Sequence, residues 1–282
     1  MQKKPIKAGL LGLPLSKSIS PGIFGIFSGL TGEEIRYEKR ECGEGELASV
    51  IEALGAEGWA GFNVTIPYKR AVFNLLNLRD PASRDIRAVN AVRFGRKGLE
   101  GLNTDAAAVR LAFEENGVNP AGKRAAVFGS GGSAGVAGWA LGRSCAASVT
   151  FRARNAGAAL ELAGNLSEVF PKTVFSAAPF SGQAGPAEIL VNATPLGMYS
   201  PGGPPAEPKP GDACLDLAYA PGGTEFIKTA AAAGARAIDG LEVLVRQAAL
   251  SLKFWTGLPG GDIVEFNREA IRLLRERLKR GT

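Results

Sequence analysis

Apolar positions along this chain alternate between two periods. Short runs rich in aliphatic residues at 6–11, 35–41 and 59–65 read as strands. The stretches between them, from about Pro21 and around 46–54, repeat their apolar residues at helical spacing. Such alternation predicts βαβ units and a mostly parallel sheet. A helix is predicted over 68–76, two β-like pieces over 89–94 and 98–102, and a long helix over 104–116, which Gly117-Val118-Asn119-Pro120 ends.

The pattern restarts at Lys123. The strand Ala125-Ala126-Val127-Phe128 empties into Gly129-Ser130-Gly131-Gly132-Ser133-Ala134, the G-x-G-x-x-A form of the dinucleotide fingerprint. Glycine suits the tight turn at Gly129, and at Gly131 it lets a pyrophosphate approach the backbone, with the phosphates resting on a helix N-terminus. With 38 glycines in the chain the triplet alone is weak, but a strand precedes it, a helix follows, and a second strand arrives at 148–151. That strand leads into Arg152-Ala153-Arg154 with no acid nearby to take a ribose 2′-hydroxyl. Two guanidinium groups suit a 2′-phosphate instead, so NADP is the expected cofactor. Further strands are predicted over 173–176, 188–192, 213–217 and 235–238. A Pro/Gly-rich loop over 200–211 reads as surface and mobile, and after Asp239-Gly240 two helices follow over 241–255 and 262–279.

Composition narrows the chemistry. At 282 residues the chain suits two domains, and 45% hydrophobic with 21% charged residues is the balance of a soluble globular protein without a membrane-spanning run. There is no histidine, which removes Ser-His-Asp and Cys-His hydrolases and His-ligated zinc; no metal is expected. Proton transfer then falls to Lys, Asp, Glu, Tyr or Cys. Cys42, Cys145 and Cys214 lie far apart with no C-x-x-C pair, which predicts a reducing, cytoplasmic setting. The net charge of +6 is densest over 272–280, where it alternates with leucines at helical spacing, so no nucleic-acid partner is expected.

Three polar segments fall where strands of the first half should end: Ser16-Lys17-Ser18-Ile19-Ser20-Pro21, Asn63-Val64-Thr65-Ile66-Pro67-Tyr68-Lys69 and Asn103-Thr104-Asp105. The carboxyl ends of parallel strands are where open α/β sheets bind ligands. Singly, each has a plain explanation: Ser20 as a helix cap before Pro21, Thr104 and Asp105 as helix-start residues, Pro67 as a first-turn proline with Lys69 just inside the helix.

Together and in this order, with Gly12-Leu13-Pro14-Leu15, Ala88-Val89-Asn90, Asn192-Ala193-Thr194-Pro195-Leu196-Gly197-Met198, Asp216-Leu217-Ala218-Tyr219-Ala220-Pro221, Asp239-Gly240-Leu241 and Gln247, they resemble the shikimate dehydrogenase family over nearly the whole chain. The resemblance implies an α/β protein of two domains, a parallel-sheet substrate domain over 1–104 completed by 239–282, and a Rossmann-type dinucleotide-binding domain over 105–238, with the active site in a cleft that closes. It implies NADP-dependent interconversion of shikimate and 3-dehydroshikimate in aromatic amino-acid (chorismate) biosynthesis. Lys69 and Asp105 match the family's catalytic pair. Ser18, Ser20, Thr65, Asn90, Tyr219 and Gln247 match its substrate-binding positions. Gly129, Ser130, Gly131, Gly132, Ser133, Ala134, Arg152, Arg154, Thr194 and Gly240 are assigned to the cofactor.

The chain departs from the family pattern at Lys17 and Phe24, where histidines are common, at Ala91 in place of a threonine, and at Ala153-Arg154-Asn155 in place of Asn-Arg-Thr. Ser20, rather than threonine, favours shikimate over quinate. A paralogous quinate or shikimate-like dehydrogenase and a non-catalytic NADP-binding sensor stay open on the residues alone, as does the choice between monomer and homodimer.

Overall fold

The structure is a computed structural model that describes residues 4–181, 185–198, 202–203 and 205–280. Part of the predicted 200–211 loop, residues 200, 201 and 204, lies outside the described residues. Two compact units divide the chain: Met1–Thr104 with Val245–Thr282, and Asp105–Leu244.

The first unit begins β1 (Ile6–Gly12), α1 (Ser20–Thr31), β2 (Ile35–Glu41), α2 (Leu47–Ala56), β3 (Gly61–Val64) and α3 (Lys69–Leu75). It continues with β4 (Leu78–Arg79), α4 (Pro81–Ile86), β5 (Ala91–Gly95) and β6 (Gly98–Leu102). Its sheet runs β2-β1-β3-β5-β6-β4. The alternation of strands and helices is the predicted one, with a difference in the sheet: β5 runs antiparallel to both neighbours. The cause is local, since only Arg96 and Lys97 separate β5 from β6, and so short a link makes a hairpin rather than a crossover. The sheet packs on a core of Leu11, Leu54, Phe62, Val64, Val72 and Val89.

Two short elements escape the hydrophobic period. β4 is two residues long, and α4 is set by its cap, Asp80 accepting from the Ser83 amide before Pro81. Pro67 is not in α3 as expected; the Tyr68 amide bonds Thr65 O in a turn, and the helix starts at Lys69.

α5 (Thr104–Glu115) carries the chain into the second unit, where β7 (Arg124–Phe128), α6 (Gly132–Arg143), β8 (Ser148–Ala153), α7 (Ala156–Val169) and β9 (Val174–Pro179) follow. Then come β10 (Ile189–Asn192), β11 (Ala213–Asp216), α8 (Glu225–Ala232) and β12 (Arg236–Ile238). The Ala-rich α7 and short α8, which hydrophobic spacing left unassigned, are fixed by caps: Asn155 accepts from the Ala158 amide and Thr224 from the Ile227 amide. The second sheet runs β12-β11-β10-β7-β8-β9, parallel throughout. Counted from β7 this is the 3-2-1-4-5-6 order of a Rossmann sheet, with its switch point between β7 and β10. α9 (Gly240–Thr256) returns the chain to the first unit, which α10 (Ile263–Lys279) completes. Among the described residues no helix is long and apolar enough to cross a membrane.

Candidate functional site

The reversal of β5 explains how the first unit gathers its polar residues. β3 pairs Asn63 with Ala91, and β5 pairs Ala91 with Leu102. The start of β5 therefore lies beside the ends of β3 and β6, and Asn90, Asn63, Thr65 and Thr104 reach one end of one sheet. There they are wired together. Asn90 Nδ2 donates to Thr104 Oγ1 (2.9 Å) and to Gln247 Oε1 (3.4 Å), while its Oδ1 accepts from the Thr104 amide (2.7 Å). Asn63 Nδ2 donates to Asn90 O (2.9 Å) and to Ser251 Oγ (2.8 Å), and Ser251 in turn donates to Gln247 O (2.8 Å). Asn63, Asn90, Thr104, Gln247 and Ser251 are all buried. A buried polar network with its donors and acceptors matched fixes its members rigidly, because any unpaired group would bear its full desolvation cost.

The serine pair joins the same end through α1. The plain alternative for Ser20, a cap on that helix, is not what forms: Ser20 is the helix's first residue, Ile19 holds the N-cap position, and no side chain caps the turn. Its hydroxyl accepts from Ser18 Oγ (3.2 Å), and Ser18 Oγ accepts from the Ser20 amide (3.3 Å). Ser18 is half-buried and Ser20 buried, which suits a pair that meets a ligand from one side. Thr65, half-buried, follows β3, and its amide donates to Leu11 O (2.9 Å). Lys69 is half-buried in the first turn of α3, its carbonyl accepting from the Val89 amide (3.1 Å).

In the second unit, Asp105 is half-buried in the first turn of α5. The glycine loop leaves β7 at the switch point. Gly129 has φ +123°, and a Cβ there would run into Ala193 O. Gly131 differs: its backbone is ordinary extended chain, and a Cβ built on it meets nothing within 4 Å. Nothing among the described residues requires glycine at 131. Gly131 and Gly132 are exposed or partly so, Ser130 is half-buried and Ser133 exposed, and no side chain caps α6. Ala134, fully buried, lets α6 pack close on the sheet. An uncapped helix N-terminus behind glycines that face open space fits a pyrophosphate.

The two arginines at the end of β8 part company. Arg154 is exposed beyond the strand, whereas Arg152 is buried within it, its Nη2 donating to Ser181 O (3.4 Å) and its Nε without a hydrogen-bond partner among the described residues. Thr194 Oγ1 donates to Asn192 Oδ1 (2.6 Å) in the loop after β10, and Tyr219 is half-buried after β11. Gly240 lies against the carbonyls of Asp216 and Ala218, so a side chain there would collide with the backbone that leads to Tyr219.

Hydrophobic spacing and local motifs missed one junction of the second unit. Asp216, fully buried, accepts from Asn192 Nδ2 (2.8 Å), the Ala218 amide (2.9 Å) and Thr224 Oγ1, tying the ends of β10 and β11 to the cap of α8. Burial raises its carboxyl to about 6, and these hydrogen bonds offset that rise only in part.

Residues 10–92 match the family described as shikimate dehydrogenase substrate binding domain. A shikimate dehydrogenase (NADP(+)) of Moorella thermoacetica is 34% identical over 256 residues, covering 88% of this chain and 87% of that protein. Among solved structures, the shikimate 5-dehydrogenase of Thermus thermophilus in complex with NADP(H) and shikimate has a TM-score of 0.79 at 31% identity, covering 95% of this chain and 98% of that one. The ligand-free 5-ketofructose reductase of a Gluconobacter species has a TM-score of 0.86 at 27% identity, covering 96% and 99%. With relatives this similar over most of its length, and with the serine pair, the buried amides and the uncapped glycine loop in place, the chain belongs to the shikimate dehydrogenase family.

Proposed function

We propose that this protein catalyses the NADP-dependent reversible reduction of 3-dehydroshikimate to shikimate, a step of aromatic amino-acid biosynthesis. The observation that carries this reading is the gathering of Ser18, Ser20, Asn90 and Gln247 at one end of one sheet, in a chain of this family. A polyhydroxy carboxylate needs several hydroxyl and amide partners. The two serine hydroxyls take the carboxylate, and Thr65, Asn90, Gln247 and Tyr219 take the ring hydroxyls and fix which carbon is presented.

The second unit holds the cofactor: the 129–134 loop cradles the pyrophosphate, Arg154 meets the 2′-phosphate with Arg152 behind it, and Thr194 and Gly240 border the nicotinamide end. Bound NADPH supplies the hydride. Reduction then leaves a developing alkoxide that needs positive charge or a proton, and Lys69 provides it, with Asp105 exchanging the proton with the substrate oxygen or water. Lys69 and Asp105 are assigned these roles because they match the family's catalytic pair, and with no histidine in the chain no imidazole competes for the proton. The reading further places the protein in the cytoplasm, as a monomer or homodimer.

Initial rates with shikimate and quinate, each paired with NADP and NAD, test the reading. Fast turnover confined to shikimate with NADP is expected; turnover chiefly of quinate, or with NAD, would overturn the substrate or cofactor assignment.

A further inference from the structure

Asp216 closes β11, fully buried, and no step of the reading above uses it. Strand register sets Asn192, the last residue of β10, directly beside it. Its carboxylate gathers donors from separate segments: Oδ1 takes Asn192 Nδ2 (2.8 Å) and the Ala218 amide (2.9 Å), and Oδ2 takes Thr224 Oγ1 at the cap of α8. Among the described residues no cation pairs with it, and the charge of Asp239 opposes its own. A carboxylate buried without a cation is costly, so these donors are what hold it in place.

Its effect reaches past those neighbours in two directions. A carboxylate offers acceptors only, so Asn192 must turn its NH₂ to Asp216 and keep its oxygen for the other side. There Asn192 Oδ1 accepts from the Thr194 amide (3.0 Å) and the Thr194 hydroxyl (2.6 Å), and the Leu196 amide donates to Thr194 Oγ1 (3.3 Å). The loop after β10 is thus held from Thr194 to Leu196 by an amide whose orientation Asp216 sets. That loop runs beside the glycine loop: the Ala193 amide donates to Phe128 O (2.8 Å), and the Ala193 carbonyl is what a Cβ on Gly129 would strike. In the other direction the Ala218 amide fixes the turn that leads to Tyr219, and Gly240 packs on the carbonyls of that same turn.

We propose that Asp216 is a positioning residue for hydride transfer: through Asn192 it sets the Thr194 loop at the nicotinamide end, and through the Ala218 amide it sets the segment that presents Tyr219 to the substrate. It touches neither ligand. The phosphate contacts assigned to 129–134 and to Arg154 do not pass through it, so NADP should still bind when Asp216 is removed. What is lost is the placement of the nicotinamide ring and of Tyr219, and a misplaced reacting pair costs rate rather than affinity. The hydrogen-bonding shape does this rather than the charge. An asparagine at 216 would keep an oxygen for Asn192 Nδ2 and the Ala218 amide, and the Ala218 amide, a fixed donor, would hold that oxygen on the correct side.

The inference rests on the proposed shikimate activity and on the places given there to Thr194 and Tyr219. Asp216→Ala is expected to lower kcat about 10- to 100-fold and to raise the KM for shikimate about three- to tenfold, while the Kd of NADPH, read by fluorescence titration, stays within about threefold. Shikimate deuterated at the carbon that is oxidised should show a larger isotope effect on kcat than in the wild type, because hydride transfer has become the slow step. A mere loss of folded protein would lower the rate and leave the isotope effect as it was. Asp216→Asn should restore kcat to within about threefold of the wild type. Should Asp216→Ala not fold, Asn192→Ser cuts the Thr194 branch alone, since a serine hydroxyl is too short to span Asp216 and Thr194. Its kcat should fall with an enlarged isotope effect and an unchanged KM for shikimate. An unaltered isotope effect in these variants, an NADPH affinity lost in step with kcat, or an Asp216→Asn as slow as Asp216→Ala would each overturn the role of Asp216 and leave the enzyme assignment intact. Failure of the wild-type protein to turn over shikimate would overturn both.

Discussion

The two ends of the proposed reaction are built by opposite means. In the first unit the residues proposed for the substrate are side chains tied to one another or to buried neighbours: Asn90 to Gln247 and Thr104, Ser18 to Ser20, with Asn63 donating to Asn90 O and Ser251. In the second unit the glycine loop is backbone, with no side chain capping α6 and open space at Gly131 and Gly132. The difference follows from the ligands. A small ring distinguished by which carbons bear oxygen demands fixed amides and hydroxyls, whereas a pyrophosphate is recognised by charge and by backbone N–H groups that any sequence can offer if the Cβ is absent. Changes to the fully buried amides of the first unit should therefore disturb chemistry and packing together, and changes in the glycine loop should disturb binding alone.

The largest test of the substrate end is Lys69→Ala. If Lys69 supplies charge or a proton only as the alkoxide develops, kcat should fall about 10²- to 10⁴-fold while the KM for shikimate changes little. Steady-state rates with saturating NADP measure it, and an unaltered kcat would remove Lys69 from the chemistry. The residue is half-buried in the first turn of α3, so its truncation opens no enclosed cavity and the variant should fold.

Asp216 sharpens the comparison from the other side, since it gives the second unit a buried polar junction of its own. Its carboxyl is raised from 3.8 to about 6 in the folded protein. A raised acid is better tolerated protonated, so its favourable contribution is complete below about pH 4 and is lost as pH climbs through about 6. At about 1.4 kcal/mol per pH unit this amounts to about 3 kcal/mol at most. Asp216→Asn keeps an oxygen for Asn192 Nδ2 and the Ala218 amide, while its NH₂ can donate to Thr224 Oγ1. Urea unfolding followed by Trp139, the tryptophan of this unit, should show the wild type losing stability relative to Asp216→Asn between about pH 4 and 7. A constant difference across that range would mean that the carboxyl is not raised.

How much of this was legible in the sequence follows the same division. The dinucleotide loop is one contiguous run between a strand and a helix, so its residues and its setting were readable from spacing. Nearly every strand of both sheets was readable too, because a buried strand needs an apolar run. The substrate network was not readable from spacing. Asn63 and Ser251 are 188 residues apart in the chain, and Asn90 and Gln247 are 157 apart, so no local pattern connects them. Only the family resemblance singled out Asn90 and Gln247; it gave Asn63 as the first residue of a motif with no role of its own, and it passed over Ser251, whose hydroxyl accepts from Asn63 Nδ2. The reversal of β5 was available in principle from the two-residue link at Arg96 and Lys97. Ser20 shows the opposite case: a serine before a proline looks like a helix cap, yet it stands inside the helix and its hydroxyl accepts from Ser18 Oγ.

Gly131→Ala tests the backbone end directly. The position has ordinary extended backbone and no protein atom near the added methyl, so the melting temperature should move by no more than about 2 °C. The KM for NADP should nonetheless rise about tenfold or more, as the methyl occupies the approach of the pyrophosphate. Unchanged affinity would mean that the phosphates lie elsewhere. A large loss of stability would break the distinction between the two ends, since the loop would then be structural in its own right.

The smallest effect separates the two arginines of β8. Arg154 is exposed and its removal leaves no buried group unpaired, so Arg154→Ala should leave stability within about 0.5 kcal/mol of the wild type. What it should lose is charge at the 2′-phosphate. NADP and NAD differ there alone, so the ratio of kcat/KM for NADP to that for NAD should fall about five- to twentyfold, with the NAD value itself nearly constant. Arg152 is the contrasting case. Buried within the strand and bonded to Ser181 O, it cannot be cut to alanine without opening a cavity, so Arg152→Ala should lower stability and both cofactors' kcat/KM together. If Arg154→Ala instead weakened NAD as much as NADP, the exposed guanidinium would be reading the part of the dinucleotide common to both, and discrimination would have to come from the buried one.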